Sequence, residues 1–318
     1  MNIERDGAGR GTRGTSLDAV AERRTPQAMA WPRVGIVGAG AVGTALGVAI
    51  SRTGWPVVAV ASRDATRRHR FCVLVPGARA FIEPAAILEA ADLIIVAVPD
   101  EAIAEVAGQI RLRSGQAIVH TSGAVGPEVL AKAVIEGGDV GAFHPLVSFT
   151  ADVERSVAGI AGTTIAIEGD DRLIGLLSEL ALAIGGTTVR LLPGTKAVYH
   201  AAAVLASGGL VALLDAVVAL GAVAGLDERD SLAVYGRLAE QTLANARDVG
   251  IAASLTGPIT RGDVGTVAAH IAALEAHAPD VVELYVATAR RQLRIAEDRG
   301  ALSPHQAARV GRLLAKER

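Results

Sequence analysis

The sequence predicts an α/β protein: a Rossmann-type, doubly wound and mostly parallel sheet, followed by an all-α C-terminal domain. Three observations carry this expectation. Val34-Gly-Ile-Val-Gly38-Ala-Gly40-Ala-Val-Gly43 is a β-branched apolar run, a glycine turn, then small residues at helical spacing. Beyond it, short apolar runs alternate with helical patterns up to residue 192, and such alternation builds a parallel sheet with helices on its faces. From Pro193-Gly194 onward the pattern changes to long alanine- and leucine-rich helices. The expected organisation is a mobile tail over 1–30, a dinucleotide-binding domain over 31–192, and a helical substrate and dimerisation domain over 193–318.

The first strand is expected over Val34–Val37 and its helix from about Ala41 to Thr53. Gly38 permits the tight turn. Gly40, lacking a Cβ, lets a diphosphate approach the backbone, and Gly43 lets the helix lie against the strand. Gly38, Ala39, Gly40, Ala41, Val42 and Gly43 thus form a candidate phosphate cradle, because a helix N-terminus offers unpaired N–H groups and a positive dipole end.

The second strand, Val57–Ala61, is followed by Ser62-Arg63-Asp64 and then Arg67, Arg68 and Arg70. A carboxylate at this strand tip would bond the ribose 2′-OH of NAD, whereas a hydroxyl and a guanidinium suit the 2′-phosphate of NADP. Ser62, Arg63 and Arg67 are the candidates, Asp64 falls one position late, and NADP is favoured over NAD. Cys72–Val75 reads as a short apolar piece, Ala80–Ile82 as a strand and Pro84–Ala90 as a helix. Asp92–Val98 reads as a strand buried on both faces. Ligands in doubly wound sheets sit beyond the strand carboxyl ends, so Val98, Pro99 and Asp100 should edge the nicotinamide site.

Strand Ala117–His120 ends in Thr121-Ser122-Gly123, where Ser122 can meet a substrate carboxylate or serve only the turn. Val140–Leu146 reaches the same edge, and His144, held extended by Pro145, can aim at the cleft or be structural. Strands over Thr163–Ile167 and Thr187–Leu191 bracket a helix at about Asp171–Ile184.

The second domain opens on a helix expected over Thr195–Gly221. Lys196 and His200 are four residues apart and share a face, presenting two proton carriers. Carbonyl reduction needs one, since hydride arrival creates an alkoxide that must be protonated. The plainer alternative is a solvent-facing lysine beside a core histidine. Thr256, Arg261 and Asp263 lie in a Gly-Pro break: Arg261 can clamp a carboxylate, and Asp263 can simply cap the next helix. The last helices, about Pro279–Asp298 and Pro304–Lys316, read as an outer layer or dimer surface.

Composition narrows the function classes. The chain has 318 residues, enough for two cores; 51% are hydrophobic and only 3% aromatic, which leaves few rings for stacking on bases. A net charge of −2 gives no global attraction to nucleic acid or anionic membranes. A single cysteine, Cys72, excludes an intramolecular disulfide and any cysteine-rich zinc site, and no metal is expected. The longest apolar stretch, Ala201–Ala224, holds Asp215 and several glycines and reads as a buried helix. The first 30 residues lack the apolar block of a secretory signal, so a cytoplasmic protein is expected.

Together these stretches resemble a family of candidate oxidoreductases that joins a Rossmann-like domain to an uncharacterised helical C-terminal domain. The resemblance spans roughly residues 32–315. It rests on Gly38–Gly43, Val98-Pro99-Asp100, His120-Thr-Ser-Gly123, Phe143-His144-Pro145-Leu, Tyr199-His200-Ala-Ala-Ala-Val and Gly257-Pro258-x-x-Arg261-Gly-Asp263. More distantly the layout is similar to ketopantoate reductase, the β-hydroxyacid dehydrogenases and pyrroline-5-carboxylate reductase, with a C-terminal domain like that of 6-phosphogluconate dehydrogenase. In the first two of these a lysine and an asparagine four apart open the long helix. Lys196 matches the lysine, and His200 stands in the asparagine's place. Ser207-Gly208-Gly209 departs from the Ser-Asn of the nearer family.

The resemblance implies an NADP-dependent oxidoreductase moving hydride between NADPH and a small 2-oxo or 2-hydroxy acid, with ketopantoate, of pantothenate synthesis, as the leading substrate. Lys196, His200 and His144 are the expected catalytic residues; Ser122, Thr256, Arg261 and Asp263 are expected to bind substrate. The alternatives are a prephenate-type dehydrogenase, since those also carry His-Pro at the sheet edge, and a non-catalytic NADP-binding sensor or scaffold. A homodimer formed through the alanine-rich helices is expected.

Overall fold

A computed structural model describes residues 31–134 and 137–315, so the expected tail over 1–30 lies outside the described residues. The chain divides into two compact units at Ala197/Val198.

The first unit runs β1 Val34–Val37, α1 Ala41–Arg52, β2 Val57–Ala61, α2 Ala65–Leu74, β3 Arg79–Phe81, β4 Leu93–Val96, α3 Asp100–Gln109, β5 Ala117–His120, β6 Asp139–Pro145, α4 Val153–Ile160, β7 Thr164–Glu168, α5 Asp171–Ala183 and β8 Thr187–Arg190. Its sheet has the order β3-β2-β1-β4-β5-β6-β7-β8. All pairs are parallel except β6 with β7, so the last two strands run against the rest. This is the expected Rossmann-like sheet. Short apolar strands alternate their side chains between two cores. Ile36, Val60, Leu93, Ile95, Val119 and Phe143 face one, with Leu46, Phe71 and Leu177 from the helices. Ile94, Val96 and Ile118 face the other, with Ile103, Val106 and Leu130.

Two local expectations are corrected. Cys72–Val75 is not a separate piece: Cys72, Val73 and Leu74 are the last turn of α2, because Asp64 caps the helix start and Phe71 buries its inner face. The helix expected over Pro84–Ala90 is only a 3-10 turn, Pro84–Ile87, that drops Ile87 into the core.

The second unit contains most of α6 Lys196–Ala206, then α7 Gly208–Val223, α8 Glu228–Val249, α9 Ile251–Ser254, α10 Pro258–Arg261, α11 Val264–His277, α12 Val282–Asp298 and α13 Pro304–Leu314. Its core is aliphatic, with Ile259, Val267, Ile271, Val286, Leu293 and Val310 at the centre. The single long helix expected over Thr195–Gly221 is broken at Ser207, whose hydroxyl donates back to the Ala203 carbonyl at 3.0 Å just before Gly208-Gly209. The buried reading of 201–224 also fails. Leu205 is 73% and Val211 66% exposed, and the core of this unit is made mainly by α10 to α13. By length and composition alone, the stretch Lys196–Val223, whose most apolar 18-residue window has a mean hydropathy of 2.2, is long and apolar enough to cross a membrane.

Candidate functional site

Each glycine of the first turn has a distinct physical task. Gly38 has φ +104°, a left-handed conformation, and a Cβ there would lie 2.3 Å from the Ala97 carbonyl oxygen. At Gly43 a Cβ would lie 1.9 Å from the Gly38 carbonyl oxygen, so the helix could not sit this close to the turn. Gly40 differs: its φ is an ordinary −77°, and a Cβ would meet nothing within 4 Å. The space beside it is open to a ligand.

Gly40 is also the N-cap of α1, with no capping side chain and no acidic residue in the first turn. By contrast, α2, α4, α5, α8, α11 and α13 each start on an Asp or Ser side chain that accepts a backbone N–H. The first-turn amides of α1, including Ala41, Val42 and Gly43, have no partners within the helix and point at the turn.

A cleft of about 560 Å³ opens there. Gly38, Ala39, Gly40, Ser62, Arg63, Arg67, Val98 and Pro99 all line it, while Asp100 opens α3 beside it. At the tip of β2, Ser62 is half-buried and Arg63 exposed. The Asp64 carboxylate accepts the Arg67 backbone N–H at 3.0 Å and pairs with Arg67 Nε at 3.3 Å. That backbone hydrogen bond, more than any charge, holds Asp64 below the usual carboxylate range. Arg68 donates to the Ser62 carbonyl and fixes the loop. These residues fit a dinucleotide: an open anion cradle at Gly40, and beyond it a strand tip whose one carboxylate is engaged by its own helix.

A second cluster lies where β5, β6 and β7 pair. The register sets His120 beside Ala142 and Ala142 beside Glu168, while His144 pairs with Ala166. Paired residues share a face and the strand period is two, so His120, Glu168 and His144 lie on one face. Onto this face comes Lys196, 4% exposed, its Nζ 2.6 Å from Glu168 Oε1. Burial pulls the Lys196 ammonium towards its neutral form, and the Glu168 carboxylate opposes that.

His120 is fully buried. Its Nδ1 accepts the Ser122 backbone N–H at 3.2 Å, so Nε2, 3.1 Å from the Gly126 carbonyl oxygen, carries the hydrogen. Burial, and then the charge of Lys196, push its pKa down to about 4, leaving it neutral near pH 7. Ser122 Oγ accepts the N–H groups of Ala124 and Val125 at 3.1 and 3.3 Å. The side chain is buried, and these two bonds hold the turn after β5.

His120 and Glu168 were not among the expected site residues. Each ends an apolar strand with a polar side chain, the one signal present in the sequence. Only the antiparallel pairing of β7 returns Glu168 to the level of His120.

The other candidates belong to the second unit. His200, half-buried, stands one turn along α6 from Lys196. Thr256 is exposed, Arg261 is exposed at the end of α10, and Asp263 caps α11 through the Thr266 N–H at 3.0 Å and hydroxyl at 2.7 Å.

Residues 21–145 match a family described as a Rossmann-like domain, and residues 163–292 match a domain of unknown function, DUF2520. Among solved structures, the chain is similar to a candidate NADP oxidoreductase from Bacteroides fragilis at 23% identity, with a TM-score of 0.68 over 82% of this chain and 98% of that one. It is also similar to protein TM1727 from Thermotoga maritima at 25% identity, with a TM-score of 0.64 over 84% and 99%. A third similar structure is 1-pyrroline-5-carboxylate reductase from Streptococcus pyogenes, at 14% identity and a TM-score of 0.61 over 84% and 98%. No curated protein matches the sequence. The fold is thus a Rossmann-like domain joined to a helical C-terminal domain, as in these solved structures.

Proposed function

We propose that this chain, a Rossmann-like domain joined to a DUF2520 domain, is a cytoplasmic NADP-dependent reductase of a small 2-oxo acid, or the reverse dehydrogenase. One observation carries the reading: α1 begins uncapped and free of acid behind Gly40, and its open cradle continues to Ser62 and Arg63.

The first-turn amides of α1 bind the diphosphate through hydrogen bonds and the helix dipole. Ser62 and Arg63 take the 2′-phosphate, the guanidinium through its planar fork. When bound, the nicotinamide supplies or accepts a hydride. The protein contributes the proton. Lys196, paired with Glu168 at 2.6 Å, and His200, one turn along α6, are the two candidates to protonate the substrate oxygen. Ser122 donates its hydroxyl hydrogen to the substrate carboxylate, and His144, on the same face as His120 and Glu168, lines the substrate's approach.

Fluorescence titration with NADPH and NADH tests the cofactor. NADPH should bind more tightly, and Arg63→Ala should narrow the difference by about tenfold, or roughly 1.4 kcal/mol. Equal affinity for both nucleotides would remove the NADP assignment. Turnover of NADPH with a panel of 2-oxo acids, ketopantoate first, tests the reaction. No oxidation of NADPH with any of them would remove the substrate class.

A further inference from the structure

Three of the chain's 31 basic residues are lysines, Lys132, Lys196 and Lys316, and the rest are arginines. On the surface of the first unit the paired cations are arginines: Arg33 with Asp92, Arg52 with Glu154, Arg172 with Asp139 and Arg190 with Asp171. Among the described residues, the one pair with a buried cation uses a lysine, Lys196 with Glu168.

This is the reverse of what charge burial favours. A guanidinium is weakly hydrated, grips a carboxylate with two bonds and does not deprotonate. A lysine ammonium loses more hydration on burial and can release its proton. A lysine at this position in an arginine-rich chain suits proton release better than it suits structural pairing.

Several groups face Lys196: Glu168 from β7, Glu128 from the 3-10 turn Pro127–Ala133, Asp100 from the start of α3, and the neutral His120 from β5. Of these, Glu168 makes the hydrogen bond, at 2.6 Å. It does not line the dinucleotide cleft. We propose that Glu168 is the positioning residue for proton transfer: its carboxylate orients the Lys196 ammonium and keeps it charged until a substrate oxygen takes the proton. This rests on the reductase reading and deepens it. In the step itself one Lys196 N–H bond breaks and an O–H bond forms on the substrate alkoxide. Lys196 is left as a neutral amine beside the unchanged Glu168 carboxylate, and solvent restores the proton.

The test reads the amine directly, without turnover. In the full chain labelled with ¹⁵N and ¹³C in lysine, three side-chain signals are followed against pH, and Lys196→Arg identifies the relevant one. The wild-type Lys196 signal should titrate above pH 7. Glu168→Gln should lower its midpoint by a pH unit or more, a tenfold loss of proton affinity, and Glu168→Asp should fall between the two. NADPH affinity, measured on the same samples, should stay within about twofold, because Glu168 is outside the cleft. A wild-type midpoint below pH 7 overturns the proposal. So does a midpoint that Glu168→Gln leaves unmoved. If Glu168→Gln does not fold, the wild-type and Glu168→Asp titrations decide, and identical midpoints in those two overturn it. Failure of the wild type to bind NADPH would instead remove the reductase reading, a separate and distinguishable result.

Discussion

Gly40 and Gly43, three residues apart, separate binding from stability. A methyl added at Gly43 collides with the Gly38 carbonyl, so Gly43→Ala should destabilise the protein by about 1–3 kcal/mol as well as weaken the dinucleotide. A methyl at Gly40 enters open space, so Gly40→Ala should leave the melting temperature nearly unchanged while NADPH affinity falls. Parallel melting and titration of both variants checks this; a Gly40→Ala protein with wild-type NADPH affinity would show that nothing binds against that backbone. His120 makes a pH prediction at the same scale. Its pKa of about 4 lies below the ~6.5 of an unfolded histidine. Above pH 6.5 both states are neutral and the residue adds no pH dependence. As pH falls from 6.5 towards 4 the unfolded chain takes up a proton that the folded protein refuses, so stability falls, by up to about 3 kcal/mol. The groups facing His120 are Lys196, Asp100 and His144. Urea unfolding at pH 7 and pH 5 should show this loss in the wild type and a smaller one in His120→Gln.

Among the elements, α1 and α2 begin in opposite ways, and the difference sorts their roles. α1 leaves its first amides free, while α2 starts on Asp64, whose carboxylate is consumed by the Arg67 backbone and side chain. Asparagine caps a helix about as well as aspartate but carries no charge. Asp64→Asn should therefore keep α2 formed, release Arg67 and remove a negative charge from the strand tip. Tighter NADPH binding with unchanged or weaker NADH binding is the expected titration result. The same contrast accounts for Asp263: its carboxylate holds Thr266, and that engagement keeps it below the usual carboxylate range.

On the scale of the whole molecule, the helical unit carries more apolar surface than one chain covers. Leu205, Val211, Leu238 and Val249 are 73%, 66%, 59% and 60% exposed. On α8 such residues alternate with exposed charges of both signs, including Arg237 and Glu240, which a lipid-facing helix would not carry. We therefore propose that α6 to α8 meet a second copy of the chain. Light scattering at micromolar concentration should give a dimer, and Val211→Glu with Leu238→Glu should shift it towards monomer. A wild-type monomer would refute this interface.

The sequence by itself determined the glycine turn, the parallel strands of the first unit and the change to helices after residue 192. Each of these is written in local periodicity and in the absence of a Cβ at a few positions, which neighbouring residues suffice to specify. It did not determine that α2 runs through Cys72, that the long apolar helix breaks at Ser207 or that Ala201–Ala224 stays largely exposed. Those depend on what packs against them. The buried cluster depended on tertiary structure most of all. His120, Glu168 and Lys196 are separated by 48 and 28 residues, and only the antiparallel return of β7 and the start of α6 bring their side chains together. Pairing between strands far apart in the chain, which no local pattern encodes, set that register.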